Sequence, residues 1–141
     1  MVWLPYALRV EPDAPKKNGG FVAKIRHIAI RAEDTAKLAE FYKNGFGLKE
    51  VGRGNITNGV QAIYLSDGYI NVALLPARGG QRQGLDHFGF EVESIDKAAI
   101  PAIDAGATKP QEAPKDGRFA EFFLYDLVGT RVDLSEHGWK L

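Results

Sequence analysis

The sequence predicts an α+β fold made of two tandem modules, each with the element order βαβββ. The main observation is a repeat: residues 25–30, Ile-Arg-His-Ile-Ala-Ile, return sixty residues later as Leu-Asp-His-Phe-Gly-Phe at 85–90, with histidine third in both. The same offset relates Val72-Ala73-Leu74 to Val132-Asp133-Leu134, and Asp34 to Ser94, two residue types that favour a helix N-terminus. A repeat of this length indicates duplicated structural units.

The first module opens with a strand from about residue 22 to 31, in which alternation predicts that Ile25 shares one face with His27. Asp34 or Thr35 then begins a helix with an apolar stripe, which glycines at 45 and 47 end. Three strands are predicted next, at 49–53, 61–66 and 69–75. The turns between them carry the pairs Gly54-Asn55, Asn58-Gly59 and Asp67-Gly68.

The second module repeats this order with weaker signals. Its first strand covers 85–92, and its helix begins after Ser94 and ends at Gly106. A strand near 108–112 is only faintly indicated, whereas strands at 119–125 and 130–134 are clear from their aromatic and β-branched residues. A turn over residues 126–129 joins the last two strands.

Composition narrows the classes of function. The chain has 141 residues, a formal net charge of zero and no cysteine. A balanced charge offers no field that attracts nucleic acid, and the lack of cysteine excludes disulfides and thiolate metal sites. No apolar run approaches the roughly 18 residues of a membrane span. We therefore expect a cytoplasmic protein without nucleic-acid or membrane partners.

We expect one domain over residues 21–141, preceded by an N-terminal extension over residues 1–20. Prolines and the pair Gly19-Gly20 separate this extension from the repeat. Its apolar residues Trp3, Leu4 and Tyr6 suit docking onto the body or a second subunit, and a disordered terminus is the alternative. Module one covers about 21–76, a linker follows over 77–84, and module two covers about 85–137.

Taken together, these features resemble the vicinal oxygen chelate superfamily, which includes glyoxalase I, methylmalonyl-CoA epimerase, extradiol dioxygenases and bleomycin-resistance proteins. The resemblance covers residues 21 to about 137. It implies the glyoxalase/bleomycin-resistance/dioxygenase fold, in which each module curls into a half-barrel and a divalent metal is held on the inner face. Ligands come from the first and last strand of each module, which by position are His27, Ala73, His87 and Asp133.

The ligand set departs from the family pattern. Ala73 has no donor atom, Leu127 stands where proline is common, and Asp133 is one methylene shorter than the usual glutamate. The remaining two imidazoles and one carboxylate are typical of a non-haem Fe²⁺ site and also suit Mn²⁺ or Zn²⁺. We expect such an ion at His27, His87 and Asp133. Arg131 lies two residues before Asp133, where it would pair with the carboxylate or hold an anionic substrate.

The leading hypothesis is a metal-dependent enzyme acting on a small oxygen-bearing substrate that chelates the ion. Because Ala73 removes a carboxylate that the family's isomerases and epimerases use, a dioxygenase-like, lyase-like or transferase-like reaction is favoured over a glyoxalase I-like one. The candidate acid–base residues are Glu121, Tyr125 and His137. Tyr125 is alternatively a phenol at the core edge, and His137 a solvated tail residue.

Two other classes of function stay open. A histidine in an apolar strand is usually a packed core residue, so a metal-free pocket is the alternative to the metal site. Such a protein would bind small molecules in the manner of bleomycin-resistance proteins, and the third class is a structural or regulatory dimer. A homodimer is expected because the half-barrels of the family often pair across chains and because strand one has edges to cover.

Overall fold

The computed structural model describes residues 23–115 and 120–139. Module one contains β1 (Lys24–Ala32), α1 (Thr35–Phe46), β2 (Lys49–Thr57), β3 (Val60–Ser66) and β4 (Asn71–Pro76). Module two contains β5 (Gly84–Glu91), α2 (Ile95–Asp104), β6 (Gln111–Glu112), β7 (Phe122–Tyr125) and β8 (Arg131–Ser135). The predicted α+β class and the βαβββ order of both modules are confirmed. The predicted extension over residues 1–20 lies outside the described residues.

All eight strands form one curled sheet in the order β2-β3-β4-β1-β5-β8-β7-β6. Inside each module the first strand runs parallel to the last, β1 beside β4 and β5 beside β8. The modules join where β1 and β5 pair antiparallel, a junction that we call the seam. Both edges of β1 are thus paired, so the prediction that strand one has edges to cover is wrong.

A separate apolar core forms under each helix. Under α1 the buried residues are Ala39, Ile63, Leu65 and Leu74, and under α2 they are Val92, Ile95, Leu124, Val132 and Leu134. Because side chains alternate along a strand, the residues between these positions point to the other side of the sheet, which we call the inner face. No helix in the described part of the chain is long and apolar enough to cross a membrane.

Local chemistry explains the helix boundaries. The carboxylate of Asp34 accepts a hydrogen bond from the backbone N–H of Lys37 at 2.9 Å, and the hydroxyl of Ser94 accepts one from Lys97 at 3.4 Å. Each side chain satisfies one of the free N–H groups in a first helical turn. Gly47 ends α1 with a φ of 73°, a left-handed conformation that glycine adopts without strain.

The predicted turn at Gly54-Asn55 is wrong. Strand β2 continues to Thr57 and only shifts its register against β3 at this point. Gly54 is required for close packing, since a Cβ atom there would collide with the phenol of Tyr64. The turn at Asn58-Gly59 is present, with φ values of 51° and 79° that suit a two-residue hairpin.

The third and fourth strands of module two are shorter than predicted. Strand β6 has two residues instead of the five at 108–112, and β7 begins at Phe122 instead of residue 119, which lies outside the described residues. Pro110 and Pro114 flank β6, and proline has no N–H with which to extend a ladder.

Two ion pairs cross the seam. Arg26 Nη1 lies 3.0 Å from Glu91 Oε2, and Arg31 Nε lies 2.9 Å from Asp86 Oδ1. In the repeat, Arg26 is equivalent to Asp86 and Arg31 to Glu91, so equivalent positions carry opposite charges. Strand β1 supplies both cations and β5 supplies both anions.

Candidate metal centre

A β-bulge precedes the histidine of β1. Ile25 lies opposite Phe90 and His27 lies opposite Gly89, so Arg26 is an extra residue in the ladder. A bulge changes the side to which the flanking side chains point. Ile25 therefore shares a face with Phe90, and the predicted alternation that grouped it with His27 is wrong.

Strand β5 has a bulge at the equivalent position. Asp86 is its extra residue, directly before the pair that joins His87 to Ala29 across the seam. The two histidines thus follow equivalent bulges on adjacent antiparallel strands. This arrangement turns His27 and His87 toward each other on the inner face.

The structure brings His27, His87 and Asp133 together. The Nε2 atoms of the two histidines are 3.3 Å apart, and His87 Nε2 is 3.2 Å from Asp133 Oδ2. One donor atom from each of the three residues lies within 4.8 Å of the others. All three residues are buried, with exposed fractions of 7%, 8% and 4%.

Two side chains orient the members of this group. His87 Nδ1 lies 2.6 Å from Asp86 Oδ2, and the other oxygen of Asp86 accepts from Arg31 across the seam. Arg131 Nε donates to Asp133 Oδ1 at 2.7 Å, as the sequence predicted, and its guanidinium lies 4.3 Å above the ring centre of Phe123. His87 Nε2 and Asp133 Oδ2 are therefore directed to the centre of the group.

Burial and neighbouring charges determine the protonation of these residues. Burial, reinforced by His87, lowers the pKa of His27 from 6.5 to about 4, so this imidazole is neutral at pH 7. Burial alone would raise the pKa of Asp133, but hydrogen bonds and charge from His87 and Arg131 outweigh it and lower that pKa. Asp86 behaves in the same way, with His87 and Arg31 as partners.

The hydrogen-bonding pattern of the group suits a cation at its centre. When His87 donates its Nδ1 proton to Asp86, a neutral His87 has only a lone pair on Nε2, and that lone pair faces the carboxylate of Asp133. Two lone pairs that face each other at 3.2 Å repel, and a metal ion between them would remove that repulsion. His27 adds a third nitrogen on the same side.

The donor set fits a small divalent ion. An ion bonded tetrahedrally to nitrogen and oxygen at about 2.0–2.1 Å separates its donor atoms by about 3.3 Å. Two of the three separations, 3.3 Å and 3.2 Å, match that spacing, and the third lies within 4.8 Å. The carboxylate of Asp86 behind His87 is the outer partner that metal-binding histidines usually have.

The C-terminal segment covers the group. Trp139 is 3% exposed, and its ring stacks on His27 with a centroid distance of 5.0 Å and an interplanar angle of 4°. The indole also lies over Gly89, where a Cβ atom would approach it to 2.6 Å. Glycine at position 89 is thus needed for the indole to approach the sheet.

The remaining predicted residues lie around this centre. Ala73 is buried beside Ala29 on the inner face and supplies no donor atom. Glu121 Oε1 lies 3.7 Å from Nε2 of His137, whose side chain is 85% exposed, and Glu121 Oε2 is buried without a hydrogen-bond partner among the described residues. Neither Glu121 nor His137 belongs to the group of three donors.

A cavity of about 800 Å³ reaches one side of the centre. Its polar lining includes Arg31, Asp86, His87, Tyr125 and Arg131, and its apolar lining includes Ile25, Ile28, Leu85 and Phe88. Tyr125 thus lines the same cavity as His87, the member of the donor group that this cavity reaches. His27 and Asp133 do not line this cavity.

Sequence reasoning missed three residues of the centre. Asp86 and Gly89 stand in the repeated stretch, at the positions of Arg26 and Ala29, and the change of residue type at equivalent positions was the available signal. Trp139 lies beyond the repeat, and nothing in its local sequence indicates that it returns to the inner face.

Comparison with known proteins places this geometry in context. A sequence model described as the Glyoxalase/Bleomycin resistance protein/Dioxygenase superfamily matches residues 24–134. A hypothetical protein from Bacillus halodurans C-125 has a similar structure, with a TM-score of 0.61 and 20% identity over 79% of this chain and 92% of that chain. No curated protein matches the sequence significantly.

Two structures with named activities are also similar. Methylmalonyl-CoA epimerase from Mycobacterium tuberculosis has a TM-score of 0.58 and 14% identity, over 78% of this chain and 85% of that chain. The 2,3-dioxygenase LapB from Pseudomonas sp. KL28 has a TM-score of 0.59 and 19% identity, over 79% of this chain and 40% of that chain. Identities this low establish a common fold and leave the reaction open.

Proposed function

Because the chain belongs to the glyoxalase/bleomycin resistance protein/dioxygenase superfamily, we propose that it is a metal-dependent enzyme acting on a small oxygen-bearing molecule. In this proposal His27, His87 and Asp133 hold a divalent ion, Fe²⁺, Mn²⁺ or Zn²⁺. The observation that carries it is the convergence of three buried side chains, each of which directs one metal-binding atom to within 4.8 Å of the others. Such a group is stabilised by a cation at its centre.

The surrounding side chains suit these roles. Asp86 holds the Nδ1 proton of His87 and leaves Nε2 as the donor atom, while Arg131 occupies Oδ1 of Asp133 and leaves Oδ2. A bound divalent ion would supply Lewis-acid polarisation of two adjacent substrate oxygens. Arg131 lines the cavity next to His87, and its Nη nitrogens, which have no partner among the described residues, would bind a negatively charged part of the substrate.

The donor set favours a dioxygenase-like or a lyase- or transferase-like reaction over a glyoxalase I-like one. Ala73 leaves the fourth position without a carboxylate, so more positions around the ion stay free for substrate. This preference rests on the residues and not on the activities of similar structures, since an epimerase at 14% identity and a dioxygenase at 19% share only the fold.

Proton transfer in such a reaction falls to residues beside the centre. Among the three candidates, Glu121 has the best support, because one of its oxygens is buried without a partner among the described residues. Tyr125 lies along the cavity, where its hydroxyl could meet a bound molecule. His137 is highly exposed and is better suited to modulating Glu121 than to contacting substrate.

Isothermal titration of the chelator-treated protein with Zn²⁺ and Mn²⁺ tests the proposal. The wild type should bind one ion per chain, and His87→Ala or Asp133→Ala should weaken binding at least about 100-fold because a ligand is lost. His137→Ala is the matched control, since this histidine lies outside the donor group. Equal affinity in wild type and His87→Ala would refute the metal assignment.

A metal-free small-molecule binding protein is the second candidate. Two contacts favour it: Arg131 already neutralises Asp133, and Trp139 already fills the space over His27. In that case, ligands should raise the melting temperature equally with and without a chelator. A shift that disappears with EDTA favours the enzyme instead.

A further inference from the structure

The segment that follows β8 returns to the candidate site. After β8 the backbone no longer pairs in the sheet, turns at Gly138 with a φ of 67°, and carries Trp139 back to the inner face. There the indole stacks on His27 and packs with Ala113, Ala120 and Phe123. It thus separates the donor group from the solvent above it.

Among the described residues, side-chain contacts and not strand pairing hold residues 136–139, including the 3.7 Å contact between His137 Nε2 and Glu121 Oε1. The carbonyl oxygen of Trp139 accepts from Asn71 Nδ2, and Glu136 Oε1 accepts from the backbone N–H of Ile95 at 2.8 Å. The hydroxyl of Ser135 lies 3.5 Å from the carbonyl oxygen of Gly138, at the limit of a hydrogen bond. The ring stack on His27 and these side-chain bonds can break without opening the sheet.

The indole of Trp139 occupies the space that a small molecule bound at the three donor atoms would need. The cavity is lined by His87 but not by His27 or Asp133, and the indole lies over His27. A molecule that is to reach all three donor atoms must therefore displace the indole. We propose that residues 136–139 form a displaceable cover, and that Trp139 must leave His27 before a small-molecule ligand can reach the three donor atoms. This inference rests on the proposed function only in taking the ligand to be the substrate.

Chemical modification of the metal-free protein tests the cover without any metal. Diethyl pyrocarbonate acylates neutral imidazole, and peptide mass mapping separates His27, His87 and His137. Trp139→Ala should raise the modification rate of His27 at least about tenfold, whereas Trp139→Phe, which keeps a stacked ring, should stay near the wild-type rate. The exposed His137 serves as an internal standard that should not change.

A second variant covers the case in which Trp139→Ala fails to fold. Asn71→Ala removes the anchor of the Trp139 carbonyl and leaves the indole in place, so it should give an intermediate His27 rate. Unchanged His27 rates in every variant that keeps the wild-type circular dichroism spectrum would overturn the cover.

Ligand binding distinguishes this proposal from the proposed function. In a Trp3→Phe background Trp139 is the only tryptophan, so its fluorescence reports its position. With Zn²⁺ loaded, oxalate, a small molecule with adjacent oxygens, should shift the emission to the red and bind at least about tenfold tighter to Trp139→Ala. Oxalate that binds both proteins equally, or leaves the emission unmoved, overturns the cover. If Zn²⁺ does not bind, the proposed function fails, and the modification rates alone decide the cover.

Discussion

The buried imidazole of His27 makes the stability of the metal-free protein depend on pH. Its pKa is lowered from 6.5 to about 4, so between these values the unfolded chain binds a proton that the folded chain does not. The free energy of unfolding should therefore decrease as the pH falls from 6.5 toward 4, by at most about 3 kcal/mol, since one pKa unit corresponds to about 1.4 kcal/mol.

Urea unfolding at pH 7.5, 5.5 and 4.5 in the presence of EDTA measures this effect. His27→Gln should flatten the dependence, and His137→Gln, which changes an exposed ring, should keep it. The lowered carboxyl pKa values of Asp86 and Asp133 act in the same sense but at lower pH, because their contribution is present above about pH 4 and is lost only below it. A wild type whose stability is flat from pH 6.5 to 4.5 would contradict the burial of a neutral His27.

Asp86 should tune metal binding from behind His87. Asp86→Asn weakens the grip on the Nδ1 proton and should lower divalent-metal affinity about 10- to 100-fold, the usual effect of losing such an outer partner. Glu91→Gln is the matched control, because it also removes an anion from a seam ion pair but does not touch a histidine. Titration calorimetry should show a weaker metal affinity for Asp86→Asn than for Glu91→Gln. An equal loss of affinity in both variants would mean that Asp86 acts only through its ion pair across the seam.

At the scale of elements, Gly89 allows strand β5 to pack closely against the indole of Trp139. A methyl group at this position would lie 2.6 Å from the indole of Trp139 and 3.2 Å from Asp133 Cβ, so Gly89→Ala should destabilise the fold by about 1–3 kcal/mol. In a Trp139→Ala background most of that loss should disappear. Gly45→Ala is the control, because nothing lies within 4 Å and helix α1 gains about 0.5–1 kcal/mol from alanine. Urea unfolding measures these effects. If Gly89→Ala destabilises both backgrounds equally, its cost does not come from a clash with Trp139.

The repeat made most elements predictable, because each module carries its own signals. Caps at Asp34 and Ser94 and the positive φ angles at Asn58-Gly59 are local, and both predictions were correct. The prediction of a turn at Gly54 was wrong because glycine is needed there for contact with Tyr64, which lies on another strand. The sixty-residue offset of the repeat also identified His27, His87 and Asp133 as candidate ligands. Trp139 could not be identified in this way, because it reaches them through a tertiary contact that has no counterpart in module one.

For the whole molecule, the homodimer stays a prediction. We expect an interface that buries at least about 1,200 Å² in total, the lower end of stable interfaces. Exposed apolar residues provide a place for it, and Leu85, which is 81% exposed and lines the apolar part of the cavity, is the one to change. Sedimentation should show a dimer for the wild type and for Ile100→Lys on α2, and a monomer for Leu85→Lys. A wild-type monomer at micromolar concentration would contradict the prediction.

The charges at the seam make the two modules complementary, since the positive side chains lie on β1 and the negative ones on β5. Two β1 strands laid together would bring Arg26 of one chain toward Arg31 of another, and two β5 strands would oppose Asp86 and Glu91. Symmetric pairing of like modules is therefore repelled, while β1 fits β5 whether or not both belong to the same chain. Two chains that exchanged modules through residues 77–83 would therefore keep every seam contact.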